Sequence, residues 1–213
     1  MISELSIERV LETVEKTLKR EPYVDRLKNP FKILVSTLLS ARTKDETTEF
    51  VSERLFSKIK TPKDLLNLSQ TELEQLIFPV SFYKNKTRFL MQLSRIIIED
   101  YEGKVPRTID ELVKLPGVGR KTANLVISVA FGKQGVCVDT HVHRILNRWG
   151  MVSTRIPIET EMAIRKKVQR RLWSRINRIL VPFGKETCTP ISPFCGACPL
   201  NISCPRLGVK KFR

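Results

Sequence analysis

The chain lacks any apolar run close to the ~20 residues that a membrane-spanning helix needs, which argues against a transmembrane role. Residues 1–5 hold no basic segment leading into an apolar stretch, so no secretory leader is expected. Strand-like sequence is nearly absent. Only 134–139 has that character, and it is too short to found a sheet. Low-complexity linkers and long repeats are also missing. Acidic residues are scarce, with 22 Asp+Glu against 38 Lys+Arg and a formal net charge of +16. Such an excess points to a polyanionic partner, nucleic acid first and an anionic membrane second. No acid interrupts Arg165, Lys166, Lys167, Arg170, Arg171, Arg175 and Arg178, and Arg206, Lys210, Lys211 and Arg213 follow near the end. Phosphate contacts from such residues release counterions, so binding should weaken steeply with salt.

What is present is helical periodicity. Ile7, Val10, Leu11, Val14 and Leu18 recur at helical spacing and predict an amphipathic helix over 6–19. Residues 31–41 are almost wholly apolar and predict a buried helix. Three capping boxes, Thr43 with Glu46, Ser69 with Glu72 and Thr108 with Glu111, predict helices near 44–58, 70–77 and 109–114. Further helices are expected over 83–101, 119–130, 140–149 and 158–171. The fold class is therefore all-α.

Residues 112–126 read as a short helix ending at Leu115, a turn through Pro116 and Gly117, and a second helix opened by Gly119. Glycines there permit positive φ and let backbone N–H groups approach an anion, while the second helix contributes its positive end. A helix–hairpin–helix of this kind can grip a phosphate without reading bases. Gly117, Val118, Gly119 and Arg120 are its candidate contacts. Lys121 lies in the first turn of the second helix. A positive helix end and partial burial would both favour its free amine, the form that acts as a nucleophile. Read locally, it is equally a phosphate-contacting lysine. Asp139 precedes another helix, either as its N-cap or as a carboxylate serving the same reaction.

Four of the five cysteines, Cys188, Cys195, Cys198 and Cys204, fall within 17 residues. Four thiolates so close suit one centre, either [4Fe–4S] or zinc. Cys137, between two valines, reads as a small buried apolar residue. His141 and His143 are two apart and do not share a helix face, so neither reads as a metal ligand.

Leu115-Pro-Gly-Val-Gly-Arg-Lys-Thr-Ala-Asn124, then Val138-Asp-Thr-His-Val-His-Arg144, then Cys-x6-Cys-x2-Cys-x5-Cys together resemble the endonuclease III family of helix–hairpin–helix glycosylases, over about 31–204. The resemblance implies a bifunctional base-excision enzyme acting on double-stranded DNA. Lys121 matches the lysine that attacks C1′ of the damaged nucleotide and forms a Schiff base, ahead of β-elimination. Asp139 matches the catalytic aspartate, and the four cysteines match the [4Fe–4S] ligands. Oxidised pyrimidines such as thymine glycol are the implied substrates, flipped out of the stack to be reached. Phe82 falls at the position of an apolar wedge, and His141 and Arg144 fall among DNA contacts.

By the same resemblance, 23–134 should form a six-helix lobe and 1–22 with 135–213 a second one, with Lys121 and Asp139 on opposite walls of a DNA cleft. A monomer in the cytoplasm, associated with a prokaryotic nucleoid, is expected. Two features depart from the pattern. Arg42 stands where the family usually has a glutamine that enters the space left by the flipped base. Residues 189–194 carry no basic side chain, so a backbone contact usual there is lost, and the run 165–178 with the tail is expected to compensate. An adenine-specific mismatch glycosylase would need a Glu within 31–41, and no carboxylate lies between Phe31 and Lys44. A thymine– or uracil–guanine mismatch glycosylase and a non-catalytic iron–sulfur DNA-binding protein are the alternatives.

Overall fold

The computed structural model describes residues 6–18 and 23–213, and all regular structure among them is helical. The chain divides into two compact units, Tyr23–Lys133 and Met1–Pro22 with Gln134–Arg213.

The Tyr23–Lys133 unit is built around α3 (Pro30–Ser40). Asn29 caps it by accepting from the N–H groups of Phe31 and Lys32, and Pro30 occupies the first helical position, where no N–H is needed. Phe31, Ile33, Leu34, Val35, Leu38 and Leu39 are all buried, so the helix is covered on every side. Truncating one such leucine to alanine typically costs ~2–5 kcal/mol. α4 (Asp45–Phe56), α7 (Tyr83–Tyr101) and α9 (Arg120–Phe131) pack against it. The unit also contains α2 (Tyr23–Arg26), α5 (Pro62–Leu66), α6 (Gln70–Ile77) and α8 (Ile109–Leu112).

The caps differ in part from expectation. Ser69 and Glu72 close the expected box at α6. Thr108 caps α8, accepting from the Glu111 N–H, and that helix ends at Leu112 rather than near 114–115. Thr43 caps nothing: α4 starts after Lys44 without a side-chain cap. The Thr43 hydroxyl is instead taken by the Ser81 N–H and by Lys86, each at 3.1 Å. A box not anticipated, Thr61 with Asp64, opens α5.

The other unit gathers α1 (Ile7–Glu15), α10 (Thr140–Arg148), α11 (Pro157–Lys167), a 3-10 turn at Arg170–Leu172 and α12 (Trp173–Glu186). Val10, Leu11, Val14, Ile145, Trp149, Ile179 and Phe183 lie in its core. α1 is shorter than the expected 6–19, and residue 19 lies outside the described residues. The helix expected over 158–171 stops at Lys167, because Val168 turns extended. α12 lies beyond the helices expected from the sequence, and it continues through Pro182. Residues 134–139 form no strand, although Val136, Cys137 and Val138 are buried.

Most arginines of the basic run are engaged inside this unit. Arg171 pairs with Glu8, Arg175 and Arg178 both pair with Glu15, and Arg165 pairs with Glu161. Three of these arginines fasten α1 in place, and the Arg165 pair lies within α11 itself. Lys166 and Lys167 are exposed, as are Lys210 and Lys211. No helix of the described residues is long and apolar enough to cross a membrane.

Candidate active site and cysteine centre

The hairpin is a tight turn between α8 and α9. The Val118 N–H donates to Leu115 O at 3.0 Å, Pro116 sits at the second position and Gly117 at the third with φ +77°. That residue choice is the one a type II turn requires. A Cβ on Gly117 would lie 2.8 Å from Phe89 Cδ2, so the close packing of α7 demands glycine as well. Gly119 differs from expectation. It is the N-cap of α9 with φ −86°, an ordinary extended conformation. A Cβ there would meet no atom within 4 Å, so nothing inside the protein requires the side chain to be missing.

Lys121 is the second residue of α9 and is exposed, so the partial burial expected for it is not found. In the other unit Asp139 caps α10, its Oδ1 accepting from the N–H groups of His141 and Val142 at 2.9 Å each. The N-cap alternative is thus realised, and it fixes the orientation of the carboxylate.

His141 and Arg144, on the first turns of α10, hold the chain together locally. Arg144 Nη2 donates to Gly184 O at 2.9 Å and to Cys188 O at 2.8 Å, tying α10 to the end of α12 and the first cysteine. It also lies 3.2 Å from His141 Nδ1. Burial lowers the basicity of both residues. His143 Nδ1 lies 2.7 Å from the Thr160 hydroxyl. Cys137 is buried, its carbonyl accepting from Asn177.

Arg42 and Phe82 occupy two separate turns of the Tyr23–Lys133 unit, before α4 and before α7. Phe82 is exposed at 58%. Both have left-handed backbones, and the Arg42 guanidinium lies 5.6 Å from the Phe82 ring centroid.

Cys188, Cys195, Cys198 and Cys204 line one cavity of about 370 Å³, measured out to its open mouth, together with Arg148, Trp149 and Phe183. Successive turns build the loop: Cys198 N–H donates to Cys195 O, and Cys204 N–H to Leu200 O. Arg148 donates to Cys188 Sγ at 3.3 Å and to the carbonyls of Thr189 and Pro190 at 2.7 Å each. Burial, aided by the charge of the other three cysteines, pushes the Cys198 thiol up to about 11. Burial also raises Cys195 and Cys204. Thiols held so near one another ionise readily only if a cationic group shares their charge, which is what a metal centre provides. Among the described residues no three Cys, His, Asp or Glu side chains form a group tight enough for a single metal ion.

Comparison with known proteins agrees with this architecture. The family described as HhH-GPD superfamily base excision DNA repair protein matches residues 35–173. Endonuclease III of Thermotoga maritima is 45% identical over 193 residues, which cover 91% of each chain. Among solved structures, a non-covalent endonuclease III–DNA complex superposes with a TM-score of 0.86 at 38% identity, covering 94% of each chain. A trapped endonuclease III–DNA covalent intermediate gives 0.85 at 38% identity, covering 95% of this chain and 97% of that one. The fold and the match define a helix–hairpin–helix base-excision repair protein. Within that superfamily the chain belongs to the endonuclease III family of DNA glycosylases and abasic-site lyases.

Proposed function

We propose that the protein removes damaged, chiefly oxidised, pyrimidines from double-stranded DNA through Lys121 and then cleaves the abasic site. The observation that carries this assignment is the placement of Lys121: exposed, on the first turn of α9, immediately beyond the hairpin. The open space at Gly119 leaves room for a phosphate beside the positive end of α9, with Val118 and Arg120 flanking it. A nucleotide anchored there and extruded from the duplex would bring its sugar to the lysine.

The unprotonated Lys121 amine attacks C1′, and the glycosidic bond breaks with its electron pair leaving on the base, which takes up a proton. Opening of the sugar ring yields a Schiff base. Loss of a 2′ proton then expels the 3′ phosphate by β-elimination. Asp139 is assigned the carboxylate role, accepting a proton from the attacking amine and stabilising positive charge on the sugar. Its cap bonds through Oδ1 hold it in a fixed orientation for that task. Arg42 and Phe82 are assigned to the gap left by the extruded nucleotide. His141 and Arg144 are assigned to DNA contact, with Arg144 also tying α10 to the end of α12 and to Cys188.

Cys188, Cys195, Cys198 and Cys204 are proposed to hold a [4Fe–4S] cluster. All four line one cavity, and membership of the endonuclease III family favours the cluster over a single zinc. Bound there, such a cluster would order the loop, and with four protein thiolates to hold it would leave the reaction to Lys121 and Asp139. The protein is taken to act as a monomer, in the cytoplasm at the nucleoid.

Borohydride reduction on DNA containing an abasic site should trap the protein covalently. Lys121→Gln should abolish trapping while DNA binding persists, and Asp139→Asn should slow base release at least tenfold. Trapping that survives in Lys121→Gln would assign the chemistry to another amine and overturn the proposal.

A further inference from the structure

Lys86 is a charged side chain in the interior, with only 5% of its surface exposed, and the reaction above gives it no task. It lies on the first turn of α7. Its ammonium donates to Leu39 O at 2.6 Å, Ala41 O at 2.7 Å and the Thr43 hydroxyl at 3.1 Å. The first two acceptors are carbonyls at the C-terminus of α3, where a helix carries partial negative charge. No carboxylate accompanies it between Phe31 and Lys44.

Those bonds converge on the two left-handed residues. Arg42 (φ 56°) sits directly between Ala41 and Thr43, both bonded to Lys86. Phe82 (φ 58°) has its carbonyl bonded by the Lys86 backbone N–H at 3.0 Å. Thr43 Oγ1 also accepts from the N–H of Ser81, the residue before Phe82, at 3.1 Å. One residue therefore fastens both turns, with its side chain on the Arg42 turn and its amide on the Phe82 turn. Non-glycine residues at positive φ are strained and persist only where their surroundings over-determine them. The bonds of Lys86 and Thr43 supply that constraint.

We infer that Lys86 is a positioning residue that locks Arg42 and Phe82 into one rigid unit presented to duplex DNA. The inference rests on the gap-filling role proposed above for that pair. A pair held in this way enters the duplex without first being ordered, so loss of the lock should appear on duplex substrates and not on single strands.

The test compares two substrates: base release from a duplex containing thymine glycol, and strand cleavage at a preformed abasic site in single-stranded DNA. Lys86→Met, of similar length and without charge, should lower kcat/KM on the duplex at least tenfold, mainly through KM. Cleavage of the single strand and its borohydride trapping should stay within twofold of wild type. If Lys86→Met does not fold, Thr43→Val cuts the same web, and Thr43→Ser, which keeps the hydroxyl, should restore activity. Duplex activity within twofold of wild type in a folded Lys86→Met or Thr43→Val variant would overturn the inference, as would equal losses on both substrates. Arg42→Ala and Phe82→Ala measured alongside separate the two levels. If they slow duplex excision and the Lys86 and Thr43 variants do not, only the positioning role fails. If they leave duplex excision intact, the gap-filling role fails and the inference falls with it.

Discussion

The Arg42 guanidinium stands 5.6 Å from the Phe82 ring centroid, and both residues have left-handed backbones, at φ 56° and 58°. Two strained turns in contact, one of them presenting an exposed aromatic, are costly to fold and are usually retained for function. Phe82→Gly separates the two contributions. Glycine relieves roughly 1–2 kcal/mol of left-handed strain and loses some of that to the entropy of the unfolded chain. Phe82 also begins α7 without a side-chain cap, so no cap is lost. The variant should match wild-type stability or exceed it by up to about 1 kcal/mol in urea unfolding, yet release thymine glycol from duplex DNA at least tenfold more slowly. A loss of more than about 1 kcal/mol would show that the ring is needed for folding.

Lys86 gives stability a definite pH dependence. Burial lowers its basicity from the ordinary 10.5 to about 8. Between pH 8 and 10.5 the folded protein has released this proton while the unfolded chain still holds it, so stability from this group rises with pH. The slope cannot exceed about 1.4 kcal/mol per pH unit. Lys86→Met lacks the titration. Wild type should therefore gain stability relative to Lys86→Met between pH 7.5 and 9.5 in paired urea titrations. A constant difference across that range would mean that the ammonium keeps its proton in the folded state.

Gly117→Ala should be destabilising for two separable reasons. The backbone at φ +77° costs about 1–2 kcal/mol for any Cβ. The new Cβ would also lie 2.8 Å from Phe89 Cδ2 and 3.1 Å from its Cβ, so the ring cannot simply swing aside. Adding Phe89→Ala removes the two ring contacts and leaves the 3.1 Å approach to Cβ and the backbone strain. The double variant should recover part of the lost melting temperature and none of the lost DNA affinity, because the hairpin itself remains distorted. Full recovery of affinity would show that the turn conformation is dispensable for binding.

Much of this architecture is written locally in the sequence. The Ser69–Glu72 box, the apolar run 31–39 and the Pro116–Gly117 turn each specify their element within a few residues, and the helices appear where those signals lie. Thr43 does not cap α4 because its hydroxyl is taken by groups 38 and 43 residues away. α12 carries Pro182 in its interior, where tertiary packing overrides that residue's poor helix propensity. The same distance concealed the site's supports. Lys86 in a helical stretch looks like any solvated lysine until residues 39–43 fold against it. Asp139 carried its local signal openly, as a carboxylate just before a helix. The chemical role proposed for that carboxylate comes from its place in the family motif and not from any local signal.

The basic run offers a further test, because its charges are not equivalent. Arg171, Arg175 and Arg178 are paired with Glu8 and Glu15 of α1. Lys210 and Lys211 lie exposed near the end of the cysteine loop's unit. A cation already held by a carboxylate contributes little net charge to a phosphate, whereas a solvated lysine near DNA releases about one counterion per contact. Lys210→Ala with Lys211→Ala should therefore reduce the slope of log affinity against log salt by about one to two, without altering the melting temperature. Arg175→Gln should leave that slope unchanged and lower stability by up to about 1 kcal/mol, since partly exposed ion pairs are worth little more. The reverse pattern, with a flattened slope for Arg175→Gln and none for the lysines, would place DNA on the face that α1 and α12 share and would detach the lysine tail from binding altogether.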